Sequence, residues 1–163
     1  MADDRPDAPE IPPPDRTLGE LGLWQFAPYL MNRIMGRYNA EMHEALKERN
    51  LSTAKMRTLA ILSVVPGLTI NELAVYAVTE QSTMSRTLDA MEKAGLVRRQ
   101  GRAEDARVRE IFLTEMGQDE FGRVWPLMHA QYQEMFAGIA SEERNAFVGT
   151  LQKVLKNVRQ HKI

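Results

Sequence analysis

The residues best suited to chemistry in this 163-residue chain are arginines concentrated in one short segment. Residues 98–109 contain five arginines and two acidic residues, a net charge of +3 within twelve residues. Clustered guanidinium groups bind anions, and phosphates in particular, because each can donate two parallel hydrogen bonds. The charged residues of the segment are Arg98, Arg99, Arg102, Glu104, Asp105, Arg107 and Arg109. This segment predicts contact with phosphate groups.

The charge of the whole chain gives the opposite indication. The formal net charge is −1, which by itself argues against a nucleic-acid-binding protein. The negative charge is concentrated at the start, since residues 1–20 carry a net charge of −4 and the rest of the chain one of +3. Residues 1–16 are rich in proline and aspartate and predict a flexible tail. The electrostatic field of the basic segment, rather than the net charge of the chain, therefore indicates what the protein can bind.

A second set of polar residues lies on one predicted helix, which ends at Gly95. Met84, Leu88 and Met91 return at helical spacing and predict the face that docks on the core. The opposite face carries short polar side chains, which let a helix backbone approach DNA closely. The candidate DNA contacts on this helix are Gln81, Ser82, Thr83, Ser85 and Arg86. The alternative is an ordinary solvated helix face.

The sequence contains no pattern typical of an enzyme. The chain has no cysteine, and it lacks a glycine-rich phosphate loop, a nucleophile elbow and an HExxH helix. His43, His129 and His161 are too scattered to predict a metal site. No stretch approaches the ~20 apolar residues of a membrane span. We therefore expect a cytoplasmic protein that is not an enzyme, does not enter a membrane and has no metal or cofactor.

The first half of the chain predicts helices. Apolar residues return at helical spacing over residues 21–49, in a helix that starts near Pro28 or is kinked there. A second helix opens at Ser52 or Thr53, both of which can cap it, and stops at Pro66-Gly67.

The second half predicts one short helix, the polar helix already described, a β-ribbon and two longer helices. Thr69 and Glu72 form a capping box at the start of the short helix. Residues 95–113 contain two runs of β-forming residues around a polar, basic tip, and so predict a two-stranded ribbon. Thr114 and Ser141 are expected to cap the last two helices.

This order of elements predicts a winged helix-turn-helix within a mainly α fold that has a small two-stranded β-wing. A helix of ~10–12 Å diameter fits the ~12 Å major groove of B-DNA. The ribbon then reaches the neighbouring groove, whose negative potential attracts arginine. The pattern therefore predicts a protein that binds double-stranded DNA.

Several motifs resemble those of the MarR family of bacterial transcriptional regulators, over about residues 25–160. The wing motif Asp-x-Arg followed by a β-run that ends Leu-Thr is the more diagnostic half, since a helix-turn-helix pattern occurs in many families. The matching residues are Leu73-Ala74, Ser82 to Arg86, Met91 to Arg99, Asp105 to Arg107 and Ile111 to Thr114.

The resemblance implies a homodimer that binds a pseudo-palindromic operator and usually represses transcription in association with the nucleoid. In that arrangement Arg107 enters the minor groove and Asp105 orients the wing. The first, fifth and sixth helices would form the dimer. The implied organisation is a tail (1–16), a dimerisation helix (17–50), the DNA-binding region (51–114) and two further dimerisation helices (115–163).

The family also often binds a small aromatic effector between its dimerisation and DNA-binding parts. The residues that could line such a pocket are Met31, Met35, Tyr38, Met42, His43, Met56 and Tyr132. The alternative is that the methionines pack in the core or in the dimer interface.

Two interpretations from other classes remain open. A helical protein could keep the winged-helix fold and use it to hold a protein partner, or it could bind a small ligand without DNA activity. The clustered arginines favour DNA, because a protein-binding wing does not need them. Arg98, Arg99 and Arg102 are either phosphate contacts or charges on a strand edge.

Overall fold

The computed structural model describes residues 15–105, 107–159 and 161. The predicted tail, residues 1–16, falls mostly on residues 1–14, which lie outside that range. The chain divides into two units, Met1–Tyr38 and Asn39–Ile163, and each is described by itself.

The first unit begins with two short elements that the sequence pattern did not predict. Helix α1 (Leu18–Leu21) opens with a capping box between Thr17 and Glu20, and a 3-10 helix (Leu23–Gln25) follows. Helix α2 (Ala27–Lys47) starts in this unit and crosses into the second. Pro28 is its second residue, where the missing N–H removes no helical hydrogen bond, so the predicted helix start near Pro28 is confirmed, one residue earlier at Ala27.

The second unit contains the predicted series of helices. Helix α3 (Thr53–Val64) is capped by the Ser52 hydroxyl, which accepts a hydrogen bond from the Lys55 N–H. The remaining helices are α4 (Ile70–Tyr76), α5 (Gln81–Lys93), α6 (Glu115–Met135) and α7 (Ser141–Val158). The Thr114 hydroxyl caps α6 as expected. The expected cap at Ser141 is wrong by one position, because Ala140 is the cap residue and Ser141 the first residue of α7.

The two predicted strands form an antiparallel ribbon, and a third strand pairs with it. Strands β2 (Val97–Gly101) and β3 (Arg109–Leu113) pair so that Val97 faces Leu113 and Gly101 faces Arg109. We call residues 97–113 the wing. Strand β1 (Leu68–Thr69) pairs with the other edge of β3, which gives the order β1-β3-β2.

The core of the second unit fixes the orientation of α5. Met84, Leu88 and Met91 are all buried, as the spacing predicts. They pack among side chains from the neighbouring helices and the sheet; the other fully buried residues include Leu59, Leu62, Leu73, Ile111 and Val124. Burying three side chains of this size stabilises the docked helix by several kcal/mol, at ~1.5–3 kcal/mol each. The polar face of α5 is therefore held toward solvent.

The capping box of α4 predicts a pH-dependent contribution to stability. The Thr69 N–H and hydroxyl both donate to the Glu72 carboxylate at 2.7 Å. These hydrogen bonds lower the pKa of Glu72 from its ordinary value of 4.5. Because this pKa is lower in the folded state, the stability is present above pH 4.5 and is lost as the pH falls through the folded-state value.

We therefore expect Glu72→Gln to lower the free energy of unfolding by about 1 kcal/mol at neutral pH, the difference between a charged and a neutral acceptor. Urea unfolding at several pH values would measure this, and the difference from wild type should shrink below pH 4.5. Glu20→Gln is the matched control, because it alters the same motif in a one-turn helix that buries no residue. It should change the free energy of unfolding less than Glu72→Gln does. A difference that is constant with pH would contradict the assignment.

Candidate nucleic-acid interface

The outward face of α5 carries the polar residues that the sequence singled out. Gln81, Ser82 and Arg86 are exposed, while Thr83 and Ser85 are partly buried. The Arg86 Nε donates to the Ser82 carbonyl at 3.4 Å, so its side chain lies along the helix surface. All five residues lie within the first two turns of α5.

The tip of the wing is closed by Asp105. Its carboxylate accepts a hydrogen bond from the Arg107 N–H at 3.0 Å, and its carbonyl accepts one from the Val108 N–H at 3.0 Å. The Arg102 N–H donates to the Val108 carbonyl at 2.9 Å, which closes the base of the same loop. Asp105 thus holds the backbone from which the exposed Arg107 projects.

Three of the other wing arginines are engaged within the fold. The Arg102 Nε donates to the Glu110 carboxylate at 2.6 Å, and this hydrogen bond raises the pKa of Arg102. Arg98 stacks on the Phe112 ring, 4.8 Å from its centroid. Arg99 forms ion pairs with two carboxylates of α5, described below.

The two exposed arginines best placed for an external anion are Arg86 and Arg107. In the parts of the chain that the structure describes, neither forms an ion pair. Arg86 lies on α5 and Arg107 at the tip of the wing. The arrangement thus presents a guanidinium group from each of two elements, together with short hydroxyl side chains, which is the chemistry that binds a phosphate backbone and base edges.

The residues predicted to bind an effector are divided between the two units. Met31, Met35 and Tyr38 belong to the first, and the other four to the second. Met42 and Met56 are buried in the core, which supports the packing alternative for these two. His43 and Tyr132 are exposed.

Tyr132 belongs to a row of aromatic rings that sequence reasoning did not single out as a site. Neighbouring rings along α6 and into α7 lie 5.1–6.4 Å apart, centroid to centroid. The rings are those of Phe121, Trp125, His129, Tyr132, Phe136 and Phe147. Trp125 leaves 51% of its surface exposed. The i, i+3 and i, i+4 spacing of rings at positions 121 to 136 was the signal that could have identified this row.

No helix within residues 15–105 and 107–159 is both long and apolar enough to cross a membrane. The same residues contain no group of three histidine or acidic side chains arranged to hold a metal ion.

Comparisons with known proteins give a consistent result. The sequence model of the MarR family matches residues 49–108, which include the wing tip. A MarR-family transcriptional regulator from Silicibacter pomeroyi, known from a crystal structure, is 51% identical to this chain in sequence. The two structures match with a TM-score of 0.86, over 91% of this chain and 100% of that one.

Two more distant proteins are also similar. The HTH-type transcriptional repressor IacR of Pseudomonas putida is 28% identical over 130 residues, 80% of this chain and 78% of IacR. The structure of the S. aureus MepR–DNA complex shares the fold, with 22% identity, a TM-score of 0.71 and coverage of 82% of this chain and 97% of that one.

Proposed function

The chain belongs to the MarR family of transcriptional regulators, and we propose that it binds a pseudo-palindromic operator as a homodimer and represses transcription from it. On this proposal the protein works in the cytoplasm, on the DNA of the nucleoid. The observation that carries it is the combination of a polar α5 face held outward by its buried apolar face with a wing tip that Asp105 closes around Arg107.

In the proposed complex α5 lies in the major groove. Ser82, Thr83 and Ser85 are short enough to let the helix backbone approach the base edges, and Arg86 is long enough to reach a phosphate or a guanine. Among the residues that the structure describes, no side chain caps α5, so the N–H groups of its first turn have no side-chain acceptor there. Such groups favour a phosphate close to the helix N-terminus.

The wing is proposed to lie over the adjacent minor groove. Arg107 projects from a backbone that Asp105 fixes, so little backbone entropy is lost when its side chain inserts. A narrow minor groove concentrates negative potential and attracts a guanidinium group. Arg98 and Arg102 are proposed to contribute to the field of the wing rather than to direct contacts, because each already has a partner in the fold.

Exposed apolar side chains on α6 and α7 support the homodimer. Trp125, Leu155 and Val158 each leave half or more of their surface exposed, and Phe147 and Tyr132 are also exposed. A second copy of the chain that covered these side chains would remove apolar surface from water. This would stabilise the dimer by roughly 25 cal/mol for each square ångström buried. Two α5 helices must then lie ~34–36 Å apart to enter successive major grooves.

A small aromatic effector remains part of the proposal. In the second unit the residues proposed to contact it are His43 and Tyr132, and Tyr132 lies in the row of aromatic rings. Such a ligand would weaken operator binding by preferring a dimer in which the two α5 helices lie at a different distance from each other. The loss of operator affinity cannot exceed the ligand's preference for that form of the dimer.

Selection from a randomised duplex library, followed by a salt titration on the selected duplex, tests the proposal. We expect a palindromic consensus and an affinity that falls linearly with the logarithm of salt concentration, with a slope of about −0.9 for each phosphate neutralised. Sedimentation should give twice the 18.6 kDa of one chain. A monomer, or a protein that selects no duplex in dilute buffer, would overturn the proposal.

A further inference from the structure

Arg99 connects the wing to the last two turns of α5. Its Nη2 lies 2.6 Å from a carboxylate oxygen of Asp89, and its Nη1 lies 2.6 Å from one of Glu92. The Arg99 N–H also donates to the second oxygen of Glu92 at 3.3 Å. One side chain of β2 is thus bound to two carboxylates that lie one helical turn apart on α5.

Asp89 lies on the same side of α5 as the proposed DNA contacts. It follows Ser85 by four residues and Ser82 by seven, the spacing of one helix face. Its side chain leaves 61% of its surface exposed. An unpaired carboxylate at this position would repel the phosphates that flank the groove.

We propose that Arg99 is a positioning residue, which neutralises Asp89 and Glu92 and fixes α5 against the wing, and that it is not itself a phosphate contact. This inference rests on the proposed function. It also decides between the two interpretations of Arg99 that the sequence left open.

Three features of the pairing support this role. Both terminal nitrogens of the guanidinium group donate to a carboxylate, and only 27% of the side-chain surface is exposed. The planar guanidinium fork can hold two separate carboxylates in fixed geometry, which a lysine ammonium cannot do as well. The hydrogen bond to Asp89 is the largest cause of a raised pKa at Arg99, so the guanidinium group stays protonated beside the two carboxylates.

The inference is tested by measuring the effect of Arg99→Ala in two backgrounds, wild type and Asp89→Asn/Glu92→Gln, on the selected duplex. In wild type we expect the affinity to fall about fivefold at low salt, because two carboxylates are left unpaired beside the groove. In the double-amide background the same substitution should cost less than about twofold, because no carboxylate is left unpaired.

Arg98→Ala is the matched control, since it removes an arginine from the same strand that stacks on Phe112 and pairs with neither carboxylate. Its effect should be the same in both backgrounds. Arg99→Lys keeps the charge but loses the fork, and we expect an intermediate affinity. It replaces Arg99→Ala if thermal unfolding shows that the alanine variant does not fold.

The outcomes separate the two proposals. If Arg99 were a phosphate contact, its removal would cost the same affinity in both backgrounds, which would overturn this inference alone. If the wild-type protein selected no duplex, the proposed function would fail first and this inference with it.

Discussion

Replacing Gly117 by alanine is expected to destabilise the second unit by about 3 kcal/mol or more. Gly117 lies in the first turn of α6, and a Cβ added there would meet the Leu96 carbonyl oxygen at 2.0 Å and the Leu113 side chain at 3.3 Å. The obstacle is backbone, so a rotamer change cannot relieve it.

The Leu96 carbonyl has little freedom to move away. It accepts a hydrogen bond from the Thr114 N–H at 3.1 Å, and the Leu96 N–H donates to the Met91 carbonyl at 2.9 Å. The Thr114 hydroxyl also donates to the Gly95 carbonyl at 2.5 Å. Relief of the clash would therefore require α6 to separate from the turn that joins α5 to β2.

Gly122→Ala is the matched control for this prediction. Gly122 lies in the same helix, and an added Cβ there meets nothing within 4 Å. Alanine loses less backbone entropy on folding than glycine, so this variant should be more stable than wild type by about 0.5–1 kcal/mol. Urea unfolding of the two variants measures both effects. Equal stabilities would show that the contact with Leu96 does not constrain the fold.

The sequence predicted α5 well because its signal is local. Met84, Leu88 and Met91 must share one face at helical spacing, and burial of that face decides which side chains remain outside. The starts of α3, α4 and α6 could be predicted equally well, since Ser52, Thr69 and Thr114 each cap their own helix within three residues. Elements defined by neighbours in sequence can be inferred from sequence.

Features that depend on distant residues could not be predicted. Strand β1 has two residues and exists only because it pairs with β3, some forty positions later. The close approach of Gly117 to Leu96 is of the same kind, because neither residue alone indicates it.

The wing shows the same division between local and distant information. Asp105 and Arg107 are two residues apart, and the hydrogen bond between them follows from a local motif. The partners of Arg99 are seven and ten residues away on another element, so composition alone could not distinguish a phosphate contact from an internal ion pair. Counting arginines therefore overestimates the number available to DNA.

Arg107→Ala is expected to weaken binding to the selected duplex by ~1–3 kcal/mol, or roughly 5- to 150-fold. Asp105 fixes the backbone at the wing tip, so loss of the side chain cannot be offset by a shift of the loop. The slope of affinity against salt should also fall by about 0.9 if the lost guanidinium group displaces one counterion from the groove. Folding should be unaffected, since Arg107 is exposed.

Arg109→Ala is the matched control, because it removes the same charge two residues away. It distinguishes a direct contact of Arg107 with the minor groove from the positive potential of the whole wing. Arg109 is an exposed residue of β3, opposite Gly101 at the end of the ribbon. Its loss lowers the positive potential of the wing by the same amount but removes no group from the tip, so we expect a smaller loss of affinity. Equal losses for the two variants at every salt concentration would mean that the wing acts only through its net charge, and that Arg107 makes no specific contact with the minor groove.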